Sequence, residues 1–214
     1  MNQQDKKINY QLVLDDTINR ISGSGITPTL FLHACCAPCS SYVLEYLSQY
    51  FKITVFFYNP NIYPDSEYDH RADEIRRFVE AFPAANKVDL ITTDHDEQVF
   101  YDTVRGFESL GEGSERCYRC YEMRLKKTAE LACSHGFDYF TTTLSISPMK
   151  NAAWLNEIGG RIAGEYGIAY LYSDFKKRNG FKRSTELSAE YGMYRQDYCG
   201  CVYSYRESQS RRKL

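Results

Sequence analysis

Seven of the eight cysteines in this 214-residue chain fall into three tight groups: Cys35-Cys36-Ala37-Pro38-Cys39, Cys117-Tyr118-Arg119-Cys120 and Cys199-Gly200-Cys201. As thiolate, sulfur gathered in this way ligates soft metals or attacks disulfides. Cys117 and Cys120, at i and i+3 in the first turn of a predicted helix, share one face beside Arg116 and Arg119. Cys35 and Cys36 stand where a strand gives way to a helix, whose amino terminus favours negative charge. Together the two pairs offer four thiolates, which by count suit a 4Fe-4S cluster or a tetrahedral zinc. Adjacent ligands leave the backbone in different directions, which favours the separated iron corners of a cluster over a single zinc ion. Cys36-Ala37-Pro38-Cys39 is also the C-x-x-C of a thioredoxin-like thiol–disulfide oxidoreductase, a reading that leaves the other groups without a role. A disulfide across the single residue of Cys199-Gly200-Cys201 is strained and labile, so a reversible redox pair and metal ligation both stay open, and Gly200 permits either. Cys133 reads as a small buried hydrophobe late in a helix.

Other groups are less specific. The hydroxyls of Thr141–Lys150 and the Lys150 ammonium follow a strand, where they can meet a phosphate or polar substrate, while the first β-α loop lacks the glycine run of a P-loop. His33 is a proton relay or a satisfied core histidine, and His70, His95 and His135 have no ligand spacing. The formal net charge of −2 creates no global field for a polyanion; Lys176, Lys177, Arg178, Lys182 and Arg183 read as a solvated basic face.

Short apolar runs alternate with helical periods along the chain. Thr29–His33, Ile53–Tyr58, Val88–Thr92, Asp138–Thr143 and Ile168–Tyr172 read as strands, interleaved with helices from Ser40, Tyr68, Asp96, Cys117 and Asn151. This predicts an α/β fold, a mainly parallel open sheet with helices on both faces and the site at the carboxyl ends of the strands. One catalytic domain spans 1–214, with 1–25 an N-terminal extension and 205–214 a disordered basic tail. A polar start and the lack of any ~20-residue apolar run point to a cytoplasmic protein without a membrane partner. In a reducing compartment the cysteines read as ligands and redox thiols rather than as a structural disulfide framework.

Five motifs in order, LHACCAPCSSYVLEYL, YNPNIYPDSEYDHR, RCYRCYEMRL, TTTLSISPMKN and YRQDYCGCVYS, span about Thr29 to Ser204. In these the chain resembles the QueH-type epoxyqueuosine reductases. The resemblance implies an iron–sulfur-dependent reduction of epoxyqueuosine, in the tRNA anticodon loop, to queuosine, with electrons from an unidentified donor and without cobalamin. It assigns Cys35, Cys36, Cys117 and Cys120 to a 4Fe-4S cluster, Cys199 and Cys201 to a redox-active pair, and Cys39 to one additional iron, at a position where some members carry aspartate. Candidates for the tRNA nucleoside are Asn59, Asn61, Tyr63, Glu67, Arg71, Lys150, Arg195 and Gln196. Tyr63, Asp65, His33 and Lys150 are candidate proton donors. The readings to be separated are this reductase, a thiol–disulfide oxidoreductase and a zinc-stabilised nucleic-acid-binding module.

Overall fold

A computed structural model of the chain describes residues 8–211. Side chains alternate across each strand, so the apolar runs feed two layers at once. β1 (Thr29–His33) sends Leu30 and Leu32 into one layer and Phe31 into the other; β2 (Lys52–Phe57) does the same with Ile53, Val55 and Phe57 against Phe56. With β3 (Val88–Thr92), β4 (Tyr139–Thr142) and β5 (Ala169–Tyr170) they form a five-stranded sheet in the order β3-β2-β1-β4-β5, parallel at every pairing. The expected open parallel sheet is present, covered on both faces.

One face carries α1 (Tyr10–Ser24), α2 (Ala37–Leu47) and α3 (Asp65–Ala81), which bury Leu14, Ile18, Val43, Leu44, Ile75 and Phe78. The other carries α5 (Glu115–Ser134) and α6 (Ala152–Tyr166) through Tyr121, Leu125, Ala129, Leu155, Ile158 and Ile162. α4 (Glu97–Val104) packs on α5, α7 (Gly180–Glu190) on α2, and α8 (Val202–Arg211) closes the chain.

Several segments differ from expectation, α7 and the two-residue β5 among them. Residues 10–24, expected as an extension, form α1, because Leu14, Ile18 and Ile21 repeat at helical spacing and fill the core; each such burial is worth about 1.5–3 kcal/mol. Residues 205–211, expected in a disordered tail, continue α8 and bury Ser208, while Arg212 and Lys213 lie outside the described residues. β4 ends at Thr142 because that side chain accepts a hydrogen bond from the Leu144 amide and starts a 3-10 turn, Thr143–Ile146.

Strand order positions the site. From central β1 the chain steps to β2 on one side, and the later β4 pairs with β1 on the other. The carboxyl ends of β1 and β4 therefore diverge into a crevice, the usual ligand position of an open α/β sheet. Among the described residues no helix is long and apolar enough to cross a membrane.

Candidate metal and redox centre

The first cysteine loop is tied down on both sides. Ala34 extends the β1 ladder by donating to the Phe56 carbonyl (2.9 Å), and its own carbonyl accepts from Asn59 Nδ2 (2.8 Å). Cys36 caps α2, with its carbonyl accepting from the Ser40 amide (3.2 Å) and hydroxyl (2.8 Å), and Pro38 occupies the first turn where no amide is needed. The sulfurs of Cys35, Cys36 and Cys39 all lie within 4.8 Å of one another. Hydrogen bonds from the Cys36 and Cys39 thiols hold Cys35 well below the usual thiol range; the same bonds push Cys36 up to about 12 and Cys39 well above its ordinary value. Three sulfurs this close suit a cation that deprotonates all of them.

α5 brings the second group. Cys117 accepts from the Gly113 amide at 3.3 Å and is buried in the apolar layer against which Cys35 packs. Cys120 is buried with Phe100, Val104 and Cys201. Burial pushes it up to about 12, opposed by Arg124 and reinforced by the sulfurs of Cys199, Cys201 and Cys117. Arg124, one turn further, is 2% exposed; its Nε donates to the Cys120 carbonyl (3.2 Å) and its Nη1 lies 3.5 Å from Asn59 Oδ1. Burial opposes its charge, but Cys120, Cys199 and Cys35 together outweigh that cost and raise its pKa. One buried guanidinium therefore faces a cysteine from each of the three groups. Sequence reasoning missed it, although Arg124 follows Cys120 at i+4 and so shares its helix face.

The third group is a sharp turn. Gly200 has φ +123°, a conformation open to glycine, and its carbonyl accepts from the Tyr63 amide (2.8 Å). Tyr198 Oη donates to the Tyr63 carbonyl (2.7 Å). The turn's two sulfurs have different partners. Cys199 Sγ accepts from Lys150 Nζ (2.8 Å), whereas the Cys201 thiol is buried and donates to Ser204 Oγ (3.5 Å). All eight cysteines are free thiols, so no disulfide joins Cys199 to Cys201. Cys133, expected to be buried, is exposed and donates to the Tyr166 carbonyl, because neighbouring Ala132 takes the core position.

A cavity of about 270 Å³ opens over these groups, lined by Cys35, Cys39, Arg124, Lys150, Gln196 and Cys199 among others. Gln196 Nε2 donates to Cys36 Sγ (3.1 Å). Lys150, 8% exposed, also pairs with Glu112 Oε1 (3.0 Å); burial opposes its charge and Cys199, with Tyr121 and Glu112, outweighs that. Arg195 reaches the lining from between Ser188 Oγ (3.0 Å) and the Phe181 ring (5.7 Å). Met149 (70% exposed) and Phe181 (39%) offer apolar surface at the lining's edge. Glu112, Phe181 and Asp197, which sequence reasoning did not single out, also line it, as does Arg211 of the expected basic tail.

Of the eight expected nucleoside contacts, Lys150, Arg195 and Gln196 therefore line the cavity; Asn59, Asn61, Tyr63, Glu67 and Arg71 are not part of that lining. Asn59 holds the Ala34 carbonyl, and Tyr63 receives the Gly200 turn. Glu67 is engaged by Arg71 Nε (2.7 Å), and Asn61 and Arg71 sit against Gly200. His33 is a satisfied core histidine: fully buried, it places Nδ1 2.8 Å from Thr142 Oγ1 and Nε2 3.1 Å from the Tyr58 carbonyl, and burial followed by the Arg124 charge lowers it to about 3. The basic stretch is largely neutralised by its own acids, Lys176 by Asp174, Arg178 by Asp15 and Arg183 by Glu45.

A parallel α/β sheet with cysteines and buried cations gathered at its carboxyl edge defines a protein built to hold metal through sulfur. The family profile described as Epoxyqueuosine reductase QueH matches residues 30–207. An epoxyqueuosine reductase QueH from Streptococcus pyogenes serotype M1 is 45% identical over 93% of this chain and 79% of its own length; one from Staphylococcus epidermidis is 42% identical over 94% and 86%. The chain belongs to the QueH family of epoxyqueuosine reductases. A solved U34-tRNA thiolase NcsA from Methanococcus maripaludis, with its 4Fe-4S cluster, aligns over the whole chain and 82% of its own at 10% identity and a TM-score of 0.42, too low a likeness to carry an argument.

Proposed function

We propose that this protein reduces epoxyqueuosine, carried in the anticodon loop of tRNA, to queuosine. The observation that supports it most directly is the convergence of three remote cysteine groups on Arg124 and one cavity. The reaction needs two electrons and two protons: the epoxide loses its oxygen as water and a carbon–carbon double bond remains.

The residues fit a thiolate-held metal group. Soft donors stand within 4.8 Å of one another, and buried Arg71 and Arg124 supply positive charge, with Arg71 Nη2 lacking a hydrogen-bond partner among the described residues. Cys35, Cys36, Cys117 and Cys120 would hold a 4Fe-4S cluster and Cys39 an additional iron. When bound, this group supplies single-electron transfer and Lewis acidity toward the epoxide oxygen.

The protein's own residues do the rest. Lys150 is the proton donor that the geometry favours, being a buried ammonium in the cavity wall; His33 is neutral with both nitrogens engaged, and Asp65 is 80% exposed and bound to His95. Gln196 orients Cys36, and Arg195 with Phe181 and Met149 meets the loop through phosphate contact and stacking. Cys199 and Cys201 would store two electrons as a dithiol and release them, with two protons, on forming a disulfide. The electron donor that restores them and a cytoplasmic location complete the proposal.

Anaerobically purified protein should carry iron and acid-labile sulfide and, with a reductant, convert epoxyqueuosine in tRNA to queuosine, read by nucleoside mass analysis. Unchanged epoxyqueuosine beside an intact cluster rejects the substrate; zinc or no metal rejects the cofactor.

A further inference from the structure

Arg71 is the largest fully buried side chain, at 1% exposure, yet it is not part of the cavity lining. A guanidinium in that position has to be balanced by anions. Its Nε donates to Glu67 Oε1 at 2.7 Å, and Glu67 is itself only 13% exposed. Its carbon lies 5.4 Å from the centre of the Tyr198 ring, and its Nη2 has no hydrogen-bond partner among the described residues. Burial opposes its charge, and Cys36 is the first group that sustains it, followed by Glu67. A single carboxylate and a guanidinium nitrogen with no partner among the described residues leave this buried cation short of anions. The mismatch disappears if Cys36 belongs to an anionic, thiolate-rich centre.

We infer that Arg71 is the buried counter-charge that sets the reduction potential of the thiolate-held centre, rather than a contact to the tRNA nucleoside. The inference rests on the iron–sulfur reading above. Taking up an electron makes the centre more negative, so a fixed neighbouring cation favours reduction and a neighbouring anion opposes it. Glu67, bonded to Arg71 at 2.7 Å, carries the opposite charge and works against it. Arg71 also meets the redox turn: a Cβ on Gly200 would lie 3.1 Å from Arg71 Nη1. One side chain thus touches the first cysteine group electrostatically and the third sterically.

The test is the one-electron midpoint potential of the loaded full chain, measured by redox titration of its electron paramagnetic resonance signal. Arg71→Met should lower the midpoint by about 59 mV or more, a tenfold loss in the reduction equilibrium at one electron. Arg71→Lys should recover most of it. Glu67→Gln, isosteric and charge-removing, should shift the midpoint upward. Opposite signs are what a purely structural role cannot give, because loosened packing would move both variants the same way. Equal midpoints in wild type, Arg71→Met and Glu67→Gln would overturn the inference while leaving the cofactor in place. If Arg71→Met does not assemble a centre, Glu67→Gln decides alone: an upward shift supports the counter-charge, and none refutes it. Wild-type protein without iron and sulfide refutes the metal reading and this inference with it.

Discussion

Replacing Gly200 by alanine should damage the Cys199–Cys201 turn more than its single methyl suggests. In an ordinary conformation Gly→Ala stabilises by about 0.4–1 kcal/mol, through lower entropy in the unfolded chain. Here φ is +123°, and holding an L side chain there costs about 1–3 kcal/mol. The new Cβ would also stand 3.1 Å from Arg71 Nη1, 3.4 Å from Ile62 Cγ1 and 3.5 Å from Asn61 Nδ2. Arg71 cannot swing clear, since it is fully buried and bound to Glu67 at 2.7 Å. If the turn yields instead, the 2.8 Å bond from the Tyr63 amide to the Gly200 carbonyl is lost, at about 1 kcal/mol. The terms add to about 2–4 kcal/mol, below the 5–15 kcal/mol that holds a typical domain together, so the fold should survive. With a urea slope of roughly 2 kcal/mol/M, the unfolding midpoint should fall by about 1–2 M. Hydrogen exchange at the Tyr63 amide should accelerate, and queuosine formation should drop because Cys199 no longer meets Lys150. An unchanged or raised midpoint, with normal protection at Tyr63, would refute the reasoning, because it would mean the turn is neither strained for alanine nor tied to Tyr63.

Two further outcomes separate structural from binding roles at the same edge of the sheet. Asn59→Ala should cost about 1–3 kcal/mol in urea unfolding, by leaving the buried Ala34 carbonyl without its donor; a loss of tRNA affinity at unchanged stability would instead return Asn59 to the substrate site. Arg195→Gln should weaken tRNA binding and lower the salt slope of log K by roughly 0.7, the value for one phosphate contact to a single strand, with cluster content unchanged; an unaltered slope would place Arg195 outside the RNA contact.

The spacing of the cysteines determined the chemistry: three groups of thiols in one chain are legible as a metal or redox centre whatever the fold. Continuous apolar runs such as Leu30-Phe31-Leu32 likewise pointed to a sheet buried on both faces, since successive side chains of a strand leave the backbone on opposite sides. What could not be read was which polar residues face the crevice. The i, i+4 relation of Glu67 and Arg71 says that they share a helix face, but not that this face abuts Gly200, 129 residues away from Arg71. Arg124 shares a helix face with Cys120, but its approach to Cys35 and Cys199 was hidden for the same reason, because those sulfurs come from remote segments brought together only by long-range packing. Helices α1, α7 and α8 were missed where polar residues mask the apolar stripe, and burial of Leu14, Leu187 and Val202 against the rest of the molecule supplies what local propensity lacks. Residue type and spacing are properties of the chain alone, whereas the partner of each buried charge depends on long-range packing, and only the folded molecule specifies it.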